Sequence, residues 1–235
     1  MTHSIQLPSG EKIHYTLERR QRRTVGLKIT QEGLVIHAPK RIAQAYLESL
    51  LVLKADWILK KLVARTANQL PPMQWRDGEQ LLLLGNPITL VTKQDIRARA
   101  VEYTPGYLLL AMPNHNEPSA VERKVLQWYK KQALTDFSRR LSLFATKLGV
   151  PTPELFLSNA RSRWGSCNSR KEIRLNWRLL QAPPHIINYV VCHELAHLKE
   201  MNHSAKFWAV VASIFPEYKA AEKELKAWSP KLHVI

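Results

Sequence analysis

The sequence predicts an α+β protein: a β-rich N-terminal part carrying one long helix, then a largely helical part with a small sheet. Three observations predict it. Residues 4–38 and 79–112 carry short apolar alternations punctuated by glycine and proline turns. Residues 41–66 carry apolar positions at helical spacing with no internal proline or glycine. An apolar run from Ile186 leads into His193-Glu194-Leu195-Ala196-His197, the pattern of a buried helix with two imidazoles on one face.

The elements follow in order. Ile13–Leu17 and Val25–Ile29 alternate as strands, and Glu32-Gly33 turns the chain into Leu34–Ile36. Between them, Arg19-Arg20-Gln21-Arg22-Arg23 reads either as a solvated hairpin edge or as an anion-binding rim. Ile42, Tyr46, Leu50, Leu53, Trp57 and Leu62 form the stripe of a helix that Pro71-Pro72 closes off. Strands over 79–91 and 98–112 turn at Gly85-Asn86-Pro87 and Thr104-Pro105-Gly106. The loop Pro113–Pro118 divides the chain into residues 1–115 and 116–235. Ser119 then caps a helix running to Leu148, which Gly149 ends. Leu155–Leu157 and Ile173–Trp177 form a hairpin, and Pro183-Pro184 opens the His193 helix. Ser204 caps a helix with Phe207, Trp208, Val211 and Ile214, and a last helix runs to about Trp228. No internal repeat is visible.

The chain has 235 residues, 45% of them apolar, which supports a packed core. Lys and Arg number 35 against 19 Asp and Glu, a net charge of +16. Such an excess points to an anionic substrate or partner, with solubility as the plain alternative. The N-terminus has no apolar signal core and no run is long enough to span a membrane. Two cysteines, Cys167 and Cys192, suggest no disulfide framework, so a cytoplasmic protein is expected. Cys167 is read as a small packing residue that could lie near the site.

His193 and His197, one turn apart, can aim two nitrogens at one divalent metal ion, most simply zinc, with Glu194 beside that point. His203 is the expected third ligand: Asn202, tolerant of a left-handed helix end, could turn the chain back under the metal. Glu217 is the alternative third ligand. With no fourth ligand at a convincing spacing, an open hydrolytic site is expected, and Glu194 takes a proton from water at the metal. Residues 160–178 carry Arg161, Arg163, Arg170, Lys171, Arg174 and Arg178 against Glu172 alone. Arg161, Arg163 and Trp164 are the candidate substrate-binding residues.

Arg163-Trp164-Gly165-Ser166-Cys167, the His193–His197 motif, and Asn202-His203-Ser204 with Phe207-Trp208 together resemble the YgjP-like (DUF45) group of M48-type zincin metallopeptidase-like proteins. The resemblance covers about residues 150–228. The first half is also similar, through the arginine-rich stretch, Lys54–Trp57 and Leu84-Gly85. It implies a minimal zincin, a small sheet packed on the metal helix, with His193, His197 and His203 as ligands and Glu194 as general base. The expected reaction is peptide hydrolysis by a zinc metalloprotease. The alternative is hydrolysis of a phosphoanhydride such as a nucleoside triphosphate, its phosphates held by the basic residues. A third reading is a nucleic-acid-associated protein stacking bases on Trp164 and Trp177; nucleic acid is not the favoured partner.

Overall fold

Alternation in β2 (Lys12–Arg20) puts Ile13 and Tyr15 on one face, where both are buried. The structure, a computed structural model, describes residues 2–7, 9–30, 33–67 and 71–235. It divides into two units, Met1–Gln69 and Leu70–Ile235. In the first, β1 (Thr2–Gln6), β2, β3 (Gly26–Thr30) and β4 (Gly33–Pro39) form one sheet in the order β1-β2-β4-β3. β1 is antiparallel to β2, β2 parallel to β4, and β3 antiparallel to β4. Glu32 of the expected turn lies outside the described residues.

Because β4 lies between β2 and β3, the arginine block is a crossing connection and not a hairpin edge. Arg19 donates to the carbonyls of Lys40 and Ile42 at 3.1 and 3.0 Å, and Arg20 pairs with Glu18 at 2.5 Å. These two side chains hold local structure.

The expected single helix over 41–66 is two, α1 (Gln44–Leu53) and α2 (Ala55–Ala67), turned at Lys54 (φ −102°, ψ 11°). Its buried stripe also differs from expectation. Leu47, Leu51 and Ile58 pack on the sheet, whereas Tyr46, Leu53 and Trp57 are 57%, 76% and 43% exposed. Apolar residues surround α1, so spacing alone selects no face.

The second unit opens with β5 (Gln80–Leu83), β6 (Asn86–Gln94), β7 (Glu102–Thr104) and β8 (Tyr107–Met112), ordered β5-β6-β8-β7. Helix α3 (Pro118–Leu148) follows. It begins one residue before Ser119, because proline suits a first helical turn. Gly149, at φ +69°, ends it as expected. A third sheet, β9 (Leu155–Ser158), β10 (Gly165–Cys167) and β11 (Ile173–Asn176), has the order β10-β11-β9. β9 runs parallel to β11, so the expected hairpin between them is absent; β10 is the antiparallel partner. A 3₁₀ turn (Trp177–Gln181) leads to α4 (Pro184–Ala196), α5 (Ala205–Ile214) and α6 (Tyr218–Leu232).

The three sheets repeat one arrangement. β2, β3 and β4, then β6, β7 and β8, then β9, β10 and β11 each set a parallel outer pair and an antiparallel edge around the last strand. No repeat is visible in sequence because what recurs is strand order and direction, not residue identity.

The expected division at 115/116 falls inside the second unit. Leu81, Leu90, Leu108 and Leu110 share one buried core with Val125, Tyr129 and Phe137 of α3 and Ile187 and Val191 of α4. Tyr129 also donates to the Leu82 carbonyl at 2.7 Å. Among the described residues, no helix is long and apolar enough to cross a membrane.

Candidate metal centre

Helix α4 is fixed from several sides before it reaches its histidines. Arg140 of α3 is buried, paired with Asp136 at 2.5 Å, and donates to the Pro184 carbonyl at 3.2 Å and to Asn188 Oδ1 at 2.5 Å. Hydrogen bonds to a charged donor of this kind, made inside the fold, are among the stronger ones. The β5–β6 turn is tied to the 3₁₀ turn: the N–H groups of Leu84 and Gly85 donate to the carbonyls of Leu180 and Gln181 at 2.8 and 3.0 Å. Asn176, fully buried, donates to the Ala160 carbonyl at 2.7 Å and accepts from the Arg178 N–H at 3.1 Å.

His193 lies in the last turn of α4, and His197 caps it (φ −65°, ψ −16°). The helix therefore ends at Ala196, earlier than the expected end at Asn202. Asn202 is not left-handed; its Oδ1 accepts from the Ser204 N–H at 3.1 Å. Ser204 Oγ in turn accepts from the Phe207 N–H and opens α5. This side-chain-bonded turn brings His203 back to the other two histidines. One ring nitrogen from each of His193, His197 and His203 lies within 4.8 Å of the others. The Nε2 atoms of His203 and His193 are 3.0 Å apart. The fully buried Phe207 ring touches all three imidazoles, at centroid distances of 4.9, 4.6 and 4.7 Å.

These residues fit a divalent cation. Burial, and then the neighbouring His197 and His203, pushes His193 down to about 4; burial also lowers His197. Both rings are thus neutral near pH 7, the form that ligates. Nδ1 of His197 lies 3.1 Å from the Glu200 carbonyl, which assigns its proton there and leaves Nε2 free to coordinate. Nδ1 of His193 is buried without a hydrogen-bond partner.

Glu194 is 5% exposed, and burial pushes its carboxyl up to about 8 while Arg163 pulls it the other way. It faces a cavity of about 270 Å³ lined by the three histidines, Gly165, Ser166 and Cys167 of β10, and Met201. Gly165, Ser166 and Met201 were not singled out from the sequence as site residues. The signal for Gly165 and Ser166 was the segment between the two expected strands, residues 158–172, which is much longer than a hairpin loop needs; nothing in the sequence marks Met201. None of the three substrate-binding candidates lines the cavity. Arg163 is exposed, with its charge reaching Glu194. Arg161 is exposed, its charge reaching His233 and Arg178. Trp164 stacks on His233 at 4.6 Å and donates to Ser229 Oγ at 3.0 Å. Trp177 is buried, which removes it as a base-stacking platform. Glu217, the alternative third ligand, is exposed ahead of α6 and outside the histidine cluster.

The family model described as YgjP-like, metallopeptidase domain, matches residues 23–228. The chain belongs to this family. Among curated proteins, the UTP pyrophosphatase of Escherichia coli (strain K12) is 32% identical over 92 residues, 38% of this chain and 55% of the relative. The chain thus spans about half the length of the curated relative it matches. Among solved structures, the metallopeptidase zymogen abylysin of Pyrococcus abyssi is 26% identical, with a TM-score of 0.37, covering 39% of this chain and 92% of that one. The metallopeptidase zymogen jannalysin of Methanocaldococcus jannaschii is 22% identical with a TM-score of 0.34, at the same coverages. YgjP-like membership and the three-histidine donor set support a metal-dependent hydrolase.

Proposed function

We propose that this YgjP-like chain hydrolyses peptide bonds with a zinc ion held by His193, His197 and His203 and with Glu194 as general base. One observation carries the reading. The three imidazoles and the Glu194 carboxyl converge on a cavity walled by β10, which among the described residues is paired only on its β11 side. A peptide added antiparallel to that open edge passes beside Glu194. The other two strands of this sheet fit less well: β11 is paired on both sides, and β9 does not line the cavity.

A bound divalent ion would polarise a substrate oxygen and bring the acidity of water there towards neutrality. Glu194 takes the proton from the attacking water and delivers it to the leaving amine. Burial of its carboxyl keeps competing solvent away from that transfer. The two separate cysteines suit a reducing compartment, and we take the cytoplasm as the working location.

A second reading, phosphoanhydride hydrolysis, is favoured by the Arg163 charge beside Glu194, the net charge of +16 and the relative named a UTP pyrophosphatase. The test offers casein and a panel of nucleoside triphosphates to the protein loaded with zinc, manganese or magnesium. Peptide cleavage that disappears in Glu194→Gln supports the first reading. Phosphate or pyrophosphate release that disappears in the same variant replaces it with the second. Salt-sensitive binding of RNA or DNA that persists in Glu194→Gln, with neither hydrolysis, contradicts both.

A further inference from the structure

Across the first sheet, Leu17, Ile36 and Leu27 sit side by side on β2, β4 and β3. The third sheet repeats the arrangement, with Leu157, Leu175 and Gly165 on β9, β11 and β10. In the first sheet, the alternate positions Leu27 and Ile29 of β3 both pack apolar side chains against the core. In β10 the corresponding positions are Gly165 and Cys167, and Gly165 brings no side chain at all.

The vacated space is filled by Glu194. A Cβ built on Gly165 would lie 2.7 Å from both Cδ and Cγ of Glu194, and nearer still to its Oε1. Gly165 is an ordinary strand residue and is not among the positive-φ glycines. Its backbone conformation therefore suits any residue, and what demands glycine is room. The strand cannot easily retreat. Gly165 is paired with Leu175, and the Asn176 N–H donates to the Trp164 carbonyl at 2.8 Å. With β10 pinned on one side and α4 on the other, any added Cβ must displace the Glu194 side chain.

We infer that Gly165 is a positioning residue for the proposed hydrolysis: its missing side chain sets where the Glu194 carboxyl rests relative to the three histidines. The inference rests on Glu194 acting as the base, and it predicts a specific coupling between residues 29 positions apart. The alternative is that Gly165 matters only for folding of the sheet.

The experiment compares wild type, Gly165→Ala, Glu194→Ala and the double variant. Each is assayed for thermal midpoint after chelator dialysis, for zinc content after reloading, and for turnover of whichever substrate class the wild type accepts. The expected result is that Gly165→Ala lowers the thermal midpoint when Glu194 is present but leaves it unchanged in the Glu194→Ala background. Zinc content stays near wild type, because the three atoms nearest the added methyl all belong to Glu194 and not to a histidine. Turnover of Gly165→Ala falls about a hundredfold through kcat, with KM held, as for a base moved by about an ångström. If Gly165→Ala alone does not fold, recovery of a folded double variant gives the same support. Equal destabilisation in both backgrounds, or full turnover by Gly165→Ala, overturns the inference. If the wild type turns over neither substrate class, the functional reading fails, while the midpoint cycle still decides whether Gly165 makes the room for Glu194.

Discussion

Gly85 lies directly against Pro183. A Cβ at Gly85 would stand 2.9 Å from Cγ and 3.0 Å from Cα of Pro183, and the residue has φ +85°. The tip of the β5–β6 hairpin thus butts against the residue that precedes the first turn of the metal helix. Its two N–H groups are hydrogen-bonded to the 3₁₀ turn just before that helix.

Gly85→Ala meets two penalties at once, a left-handed backbone and a crowded proline. The expected loss is about 1–3 kcal/mol of folding stability. Urea denaturation followed by far-ultraviolet circular dichroism reads it directly. A midpoint equal to wild type would mean that the hairpin is not docked on Pro183.

The two thiols have different surroundings. Cys192 is fully buried, and burial pushes its thiol up to about 12. Cys167 is half-buried on the cavity wall, raised by burial and then by Glu194. An aromatic disulfide reagent at pH 8 should modify one thiol per native chain, more slowly than it modifies a small free thiol. Cys167→Ala should remove that phase, and Cys192 should react only after unfolding. Two fast thiols in native protein would contradict the placement of Cys192.

In the metal-free chain, burial holds the Glu194 carboxyl up at about 8 against an ordinary value of 4.5. Between these values the folded state keeps a proton that the unfolded state has lost. Stability therefore falls as pH rises from about 4.5 to about 8. Glu194→Gln has no proton to lose there. After chelator treatment it should match wild type near pH 4 and exceed it at pH 8, by on the order of a few kcal/mol. Denaturant midpoints across that range give the comparison. A gap between variant and wild type that does not grow with pH would contradict the buried, unpaired carboxyl.

The parts of the site that the sequence makes legible are the ones encoded locally. His193 and His197 share a face by helical geometry alone, and His203 returns within a turn whose caps, Asn202 and Ser204, are adjacent residues. The contact between Gly165 and Glu194 is not local. It exists only because β10 pairs with β11 and packs on α4, and nothing in either segment states that pairing. The same holds for β9 and β11: alternation identifies two strands but not their relative direction, and the intervening β10 makes them parallel. On α1 and α2, Leu47 and Tyr46 are equally apolar to a periodicity argument. Only the sheet beneath decides that Leu47 goes in and Tyr46 stays out.

Everything about the chemistry depends on three imidazoles holding one ion. The most direct measurement is elemental analysis of wild type, His203→Ala and Glu217→Ala after dialysis against equal limiting zinc. The structure predicts close to one ion per chain in wild type and in Glu217→Ala, and a loss of at least about tenfold in metal affinity for His203→Ala. Metal lost in Glu217→Ala but kept in His203→Ala, or no stoichiometric ion in wild type, would contradict the account.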